Sequence, residues 1–486
     1  MSELAYFVSQ LPPLDGRCEL AVTERQALAR DAGGLVSKLP GAVLRPGSVD
    51  DVVKVVRACG HAGVRAVARG QGHTTLGQAQ VEGGVLIDMR SLHQVHELAA
   101  DSVSVDAGAT WRSLLNATMP ARLTPPVLTG FQGLSIGGTL SVGGISGTAY
   151  RRGPQLEHVL ELDVVTGRGE LVTCSAQRHC GLFEAALGGL GRCAIIVRAR
   201  LSLCPRPTRL RRVSVTFNRK RPFLAALREL AQREQLDSLS GNIYPSGQGE
   251  ARYELNALLF DASEVDIARL VPQFSQELSR SSEELAYLDH CLQVDHLLEA
   301  LAATGGGWEG FAHPWFDAFL PSSRCEEFLD AVLPTLDTTV DVGPAHLGAL
   351  AQIHIFPLLT RYMKKPLLRV PDEPLVYLFD LLTSGHQVGS TPQYRARMLE
   401  RNRELFACAR RLGATRYGIA AVPMTSVTWS EELADAFPAF AEQKRLHDPS
   451  SILGSLAESS PSTSSWSGGG GSPCSSPPFE AIEPSP

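Results

Sequence analysis

The chain has no run of about 18 uninterrupted apolar residues, the length a membrane-crossing helix requires. Lys/Arg-rich runs are missing too. With 45 basic against 51 acidic residues the net charge is -6, which argues against a nucleic-acid partner. The first residues, MSELAYFVSQLPPLDGRCEL, lack a basic start followed by a continuous apolar stretch, so no signal peptide is expected. Ten cysteines are scattered without a CxxC pair, and Cys174, Cys180, Cys193 and Cys204 lack zinc-site spacing. Free buried thiols, no metal and a cytoplasmic setting are the expectation. Two nucleotide motifs are absent as well. No GxGxxG opens a helix with an acidic residue about twenty positions on, and no lysine follows a glycine loop in the manner of a P-loop.

What is present suits two or three domains: 486 residues, 44% of them apolar. The first third alternates helix and strand patterns. Ser48, with Asp51 three residues on, resembles a capping box and opens a helical pattern that ends near Gly60. Strands are predicted over 64–68, 85–89, 103–107, 159–165, 170–174 and 194–203, and helices over 111–118 and 181–187. After Cys204-Pro-Arg-Pro207 a strand over 211–217 and a helix near 223–233 lead into less regular pieces. These include a Gly305-to-Trp308 turn and a strand candidate over 350–356, and they run to about residue 415. The charged face around Arg228 to Gln235 reads as solvated, and Asp163 as a structural strand residue. From about Ser455 the chain is Ser/Gly/Pro-rich and is expected to be disordered.

Two glycine regions stand out. In Arg69-Gly-Gln-Gly-His-Thr74 a strand ends and glycines alternate with polar residues, so the backbone can turn with positive φ and line up N–H groups for an anion such as a pyrophosphate. A plain turn and a hydrogen-bonded, non-functional His73 give the same pattern. Residues 130–153 hold eight glycines, costly in an apolar run unless the backbone must bend or touch something flat.

At these residues the chain resembles flavoproteins of the vanillyl-alcohol-oxidase superfamily, with a PCMH-type FAD-binding fold, and among them the cytokinin dehydrogenases. The segments are ARGQGHTTLGQAQVEGGVLIDM (68–89), GGTLSVGGISGTAYRRGPQ (137–155), LELDVVTGRGELVTCS (160–175), LGGLGRCAIIVRARL (187–201) and HPWFDAFLP (313–321). The resemblance implies an α+β, two-domain PCMH-type architecture. An FAD-binding domain (1–205, completed by a return over 416–454) carries an α+β cap or substrate domain (206–415), and a disordered tail follows (455–486). It implies FAD bonded through its 8α-methyl to His73 and lined by Gly70, Gln71, Gly72, Thr74, Gln78, Ser135, Ser141, Ile145 and Ile196. Thr74 stands where the family has a serine and keeps a hydroxyl donor. No cysteine over 130–150 offers a second covalent link.

The activity so implied is hydride transfer from a small-molecule substrate, a cytokinin-like secondary amine, to FAD, with oxygen or a quinone-like compound as electron acceptor. The family's proton-accepting aspartate aligns with Gly130, which has no side chain, so the catalytic base is unassigned. Oxidation of an alcohol, sugar or secondary metabolite is therefore an open alternative, as is a flavin-binding scaffold with little turnover. The C-terminal KRLHDPSSIL (444–453) resembles the family's last helix, but the family's following PGQ-like segment is missing, which weakens any FAD contact carried over from there. His313, Trp315 and Phe316 read as cap core, and His354 as an interior histidine rather than a pocket residue.

Overall fold

The computed structural model describes residues 3–247, 249–263, 269–303, 311–342, 352–384 and 391–455. The expected Gly305-to-Trp308 turn and disordered tail lie outside these, apart from Ser455.

The first sheet holds β1 (Arg17–Glu19), β2 (Ala42–Arg45), β3 (Ala66–Arg69) and β4 (Val85–Asp88) in the order β1-β2-β4-β3. β2 and β3 each pair parallel to β4, and β1 pairs antiparallel to β2. The helix Val49–Ala62 connects β2 to β3. Ser48 caps it by accepting the Asp51 N–H, Gly63 ends it at φ 66°, and Val52, Val55, Val56 and Cys59 bury one face.

The second sheet is antiparallel: β5 (Val95–Leu98), β6 (Ser102–Asp106), β8 (Val159–Thr166), β9 (Leu171–Cys174) and β10 (Ala194–Ser202), in the order β5-β6-β10-β8-β9. Between them in sequence, the short β7 (Leu123–Thr124) pairs with β11 (Cys204–Pro205). The region of eight glycines forms two short helices, Ile136–Leu140 and Ala149–Arg152, joined by tight turns.

Beyond residue 205 the structure holds the strands expected over 211–217 and 350–356 within a more regular arrangement than the sequence suggests. The less regular pieces form an eight-stranded antiparallel sheet of β12 (Arg209–Phe217), β13 (Ser238–Gly247), β14 (Glu250–Phe260), β15 (Glu277–Ala286), β16 (Phe316–Pro321), β17 (Ile353–Leu359), β18 (Leu375–Leu381) and β19 (Thr415–Arg416). Its order is β15-β12-β14-β13-β17-β18-β16-β19. Gly241, Pro245 and Pro357 disguise these strands, because neither residue type favours a ladder. One row of directly paired residues crosses the centre of the sheet: Asn242 to His354, His354 to Asp380, and Asp380 to Asp317. Directly paired residues point to one face. The neighbouring row, Gly241–Ile355–Phe379–Ala318, points to the other face, where Phe223 and Phe328 of the helices Lys220–Arg233 and Cys325–Val332 pack.

After β19 the chain returns to the first sheet. The Ala66 N–H at the start of β3 donates to the Ile452 carbonyl at 2.9 Å. Arg192 donates to the Leu453 carbonyl at 3.2 Å and the Gln78 carbonyl at 2.6 Å. No helix among the described residues is long and apolar enough to cross a membrane, and none of the described cysteines is paired.

Candidate active site

β3 ends at Arg69, and the next five residues form the wall of a cavity of about 350 Å³. Glycine is required here for space. A Cβ on Gly70 would lie 1.9 Å from the Ser135 hydroxyl oxygen, and one on Gly72, at φ 69°, would lie 2.1 Å from the Arg69 guanidinium. The loop is braced from outside by residues 31–33. Ala32 N–H donates to Gly72 O at 2.8 Å and Gly33 N–H to Thr74 O at 2.9 Å. The Asp31 carboxylate accepts from the Thr74 hydroxyl at 2.8 Å and the Gly77 N–H at 2.6 Å. Burial pushes the Asp31 carboxyl up to about 6, against the pull of these donors and of Arg69.

All ten residues assigned to cofactor binding from the sequence, His73 among them, line this one cavity. One detail changes. The Thr74 hydroxyl proton is committed to Asp31, so only its oxygen lone pairs face a ligand. Gln78 and Ser141 also turn polar atoms inward to the backbone: Gln78 Oε1 accepts from Leu76 N–H at 2.9 Å and Ser141 Oγ donates to Gly137 O at 2.7 Å.

The His73 ring lies 5.5 Å from the Phe131 ring and 5.6 Å, edge-on, from the Trp315 indole. Its exposed part opens onto the cavity that it lines. Burial, and secondarily the neighbouring His313, lowers its pKa to about 4. It is therefore a neutral imidazole at pH 7, with a nitrogen lone pair available as a nucleophile.

Trp315 corrects the cap-core reading, since it lines the cavity against His73. Asn402 positions it: the buried amide donates to Pro314 O at 3.2 Å, Trp315 O at 3.1 Å and Ala421 O at 2.9 Å. Phe316 does belong to the core, 6.2 Å from Phe379. His313 is buried, its N–H bonded to Gly33 O at 2.8 Å. His354 also lines the cavity, while its Nδ1 bonds Asn242 Oδ1 at 2.9 Å. Tyr417, Gly418 and Ile419 bring the returning chain to the same cavity.

Two acids on the cavity wall, Asp317 and Asp380, were not singled out in the sequence. Their signal was available: each interrupts an otherwise apolar strand, FDAFLP and LVYLFDL. Gly130 lines the cavity too, and a Cβ there would touch only Val294 Cγ2, at 4.0 Å. A side chain at 130 therefore has room. Gly130→Asp is expected to fold and take up flavin as the wild type does, with a thermal midpoint displaced by less than the ~2–4 °C that a 1 kcal/mol loss produces in a domain of 150–250 residues. A larger fall in a melting curve would mean that the site is closed to a carboxylate.

The glycine-walled cradle, the backbone approach at 70–74 and the neutral imidazole together fit FAD, and the volume falls within the ~300–1,000 Å³ of small-molecule sites.

Comparison with known proteins agrees. Residues 40–175 match an FAD binding domain, and residues 250–457 match the family "Cytokinin dehydrogenase 1, FAD and cytokinin binding". An uncharacterised oxidoreductase of the fasciation locus of Rhodococcoides fascians is 30% identical over 87% of this chain and 94% of its own length. Cytokinin dehydrogenase 4 of Oryza sativa subsp. japonica is 31% identical over 90% of this chain and 89% of its own. In fold, the crystal structure of 6-hydroxy-D-nicotine oxidase from Arthrobacter nicotinovorans superposes with a TM-score of 0.68 at 21% identity, over 91% of this chain and 98% of that one.

Proposed function

Because this chain belongs to the cytokinin dehydrogenase family of FAD-dependent oxidoreductases, we propose that it holds FAD covalently on His73 and oxidises the C–N bond of a cytokinin-like secondary amine. The observation that supports the covalent link is the position of a neutral, desolvated imidazole on the wall of the glycine-lined cavity. The bound FAD supplies the hydride acceptor.

Each part of the cavity then has a task. The backbone around Gly70 and Gly72 takes the pyrophosphate, because Ser135 and Arg69 pack where a Cβ would stand and the glycines leave main chain to line the cavity there. Ser135, Ser141, Ile145 and Ile196 line the remainder of the cofactor. Phe131 and Trp315 flank His73 and keep water from it. Val294, Leu298 and Leu382 offer an apolar wall suited to the hydrocarbon side chain of such an amine. In this reading residues 1–205 and 416–454 form the FAD-binding domain and residues 206–415 the cap.

Anaerobic titration tests the substrate class. Isopentenyladenine is expected to bleach the flavin absorbance in a single turnover, with oxygen or a quinone restoring it. The absence of a side chain at Gly130, where the family places its aspartate, favours a second reading, oxidation of an alcohol or sugar. Bleaching by those compounds and not by cytokinins would establish that reading instead.

A further inference from the structure

Asp317 of β16 and Asp380 of β18 stand directly opposite each other on the cavity wall. Protein surrounds both carboxyls, and what is left of Asp380's exposure opens onto the cavity that it lines. One oxygen of each, Asp317 Oδ2 and Asp380 Oδ1, is buried and has no hydrogen-bond partner among the described residues. The two carboxyls hydrogen-bond to each other, which requires that one of them carry a proton. Two unpaired carboxyl oxygens in a largely apolar cavity carry a desolvation cost that a purely structural pair would avoid through further donors.

Resting on the reading of the chain as an amine oxidase, we propose that the Asp317–Asp380 pair is the proton acceptor of the reaction, in place of the side chain that Gly130 lacks. As the substrate C–H bond breaks, its hydride leaves with both electrons for FAD. The adjacent N–H proton passes to Asp317, and the freed electron pair closes a C=N bond. The pair enters the step with one proton and leaves it with two, and the second proton returns to water when product departs.

The surroundings favour this division of labour. Burial raises the Asp317 carboxyl to about 7, while the hydrogen bond from Asp380 and the charge of Arg416 pull it down. Asp380 is held well above the carboxylate range, by burial first and by Asp317 second. Asp380 is thus the protonated member and Asp317 the anion, poised near neutral pH as a general base should be. The other titratable groups that face the pair are His354 on β17, Arg416 on β19 and Tyr417 beyond it, with Glu432 accepting the Arg416 N–H behind.

The test uses the flavin-loaded protein. The rate of anaerobic flavin bleaching by the amine should fall as pH drops below about 7 in the wild type. In Asp317→Asn it should be about 10²- to 10⁴-fold slower, with that acidic limb gone, at unchanged flavin content. Among the infrared carbonyl bands of protonated carboxyls, the one that titrates near pH 7 in the wild type should be missing from the Asp317→Asn/Asp380→Asn double variant, while the band of Asp31, near 6, remains in both. Bleaching by Asp317→Asn at the wild-type rate with its acidic limb intact would overturn the proposal. So would a wild-type rate without an acidic limb, a result that stands whether or not the variants fold. A wild type bleached by alcohols but not by amines, with the limb present, would sink the amine reading and keep the base. One bleached by neither would sink both.

Discussion

Alanine at position 73 should leave a protein that is yellow when folded and colourless once denatured in acid, whereas the wild type keeps its flavin through denaturation. The cradle at Gly70, Gly72 and Ser135 is built by backbone and by residues that the substitution does not touch, so flavin still binds. What disappears is the nucleophile. The lone pair of His73 is free because burial, then His313, holds its pKa at about 4. Attachment to apoprotein should accordingly proceed at a constant rate as pH is lowered and fail only as it nears 4, where the imidazole takes a proton. In-gel flavin fluorescence reports the loss, and mass spectrometry of the peptide spanning residue 73 locates it. Acid-stable flavin in His73→Ala, or a wild-type peptide of unmodified mass, would refute the link.

The second large effect concerns stability, and it rests on residues that do not themselves line the cavity. Asp448 is fully buried at the end of the helix Ala436–His447. Its carboxylate accepts the Ile452 and Leu453 N–H groups, both at 3.0 Å, and pairs with Lys444. The Lys444 ammonium also donates to Arg192 O and Gly454 O, both at 2.6 Å. Asp448→Ala removes the only anion among the described residues of this cluster and strands a largely buried cation, a loss of about 3–5 kcal/mol. Urea unfolding should show a lower midpoint at unchanged slope. Hydrogen exchange at the Ala66 amide, bonded to Ile452 O, should accelerate first. Asp448→Asn keeps one acceptor and should fall between the two. A midpoint for the alanine variant equal to that of the wild type would contradict this account.

The N-terminal part was readable because its elements obey local rules. The helix Trp111–Thr118 has its predicted limits, since Thr110 and Ser113 form a reciprocal cap before an apolar stripe. β8 and β10 read as apolar runs because both are largely buried. The cavity wall was readable for another reason: glycines at steric pinch points leave a mark that propensity does not. The eight-stranded sheet was hidden because its strands pair across long stretches of chain, β13 with β17 and β16 with β18, and register of that kind has no local sign. For the same reason the opposed Asp317 and Asp380 were invisible. They lie 63 positions apart, and only the ladder puts them face to face. Trp315 was misread because an aromatic between proline and phenylalanine suits a core and a cavity wall equally.

The grip of Arg192 on both Gln78 and Leu453 sets an order of events during biosynthesis. The segment that carries His73 leaves the ribosome early, yet its last brace arrives only with residue 453, nearly 380 positions later. A nascent chain halted before that point holds an incomplete cradle. Flavin loading is therefore expected to wait until translation has passed the helix Ala436–His447, and a chain truncated before Leu453 should carry less flavin than the full one.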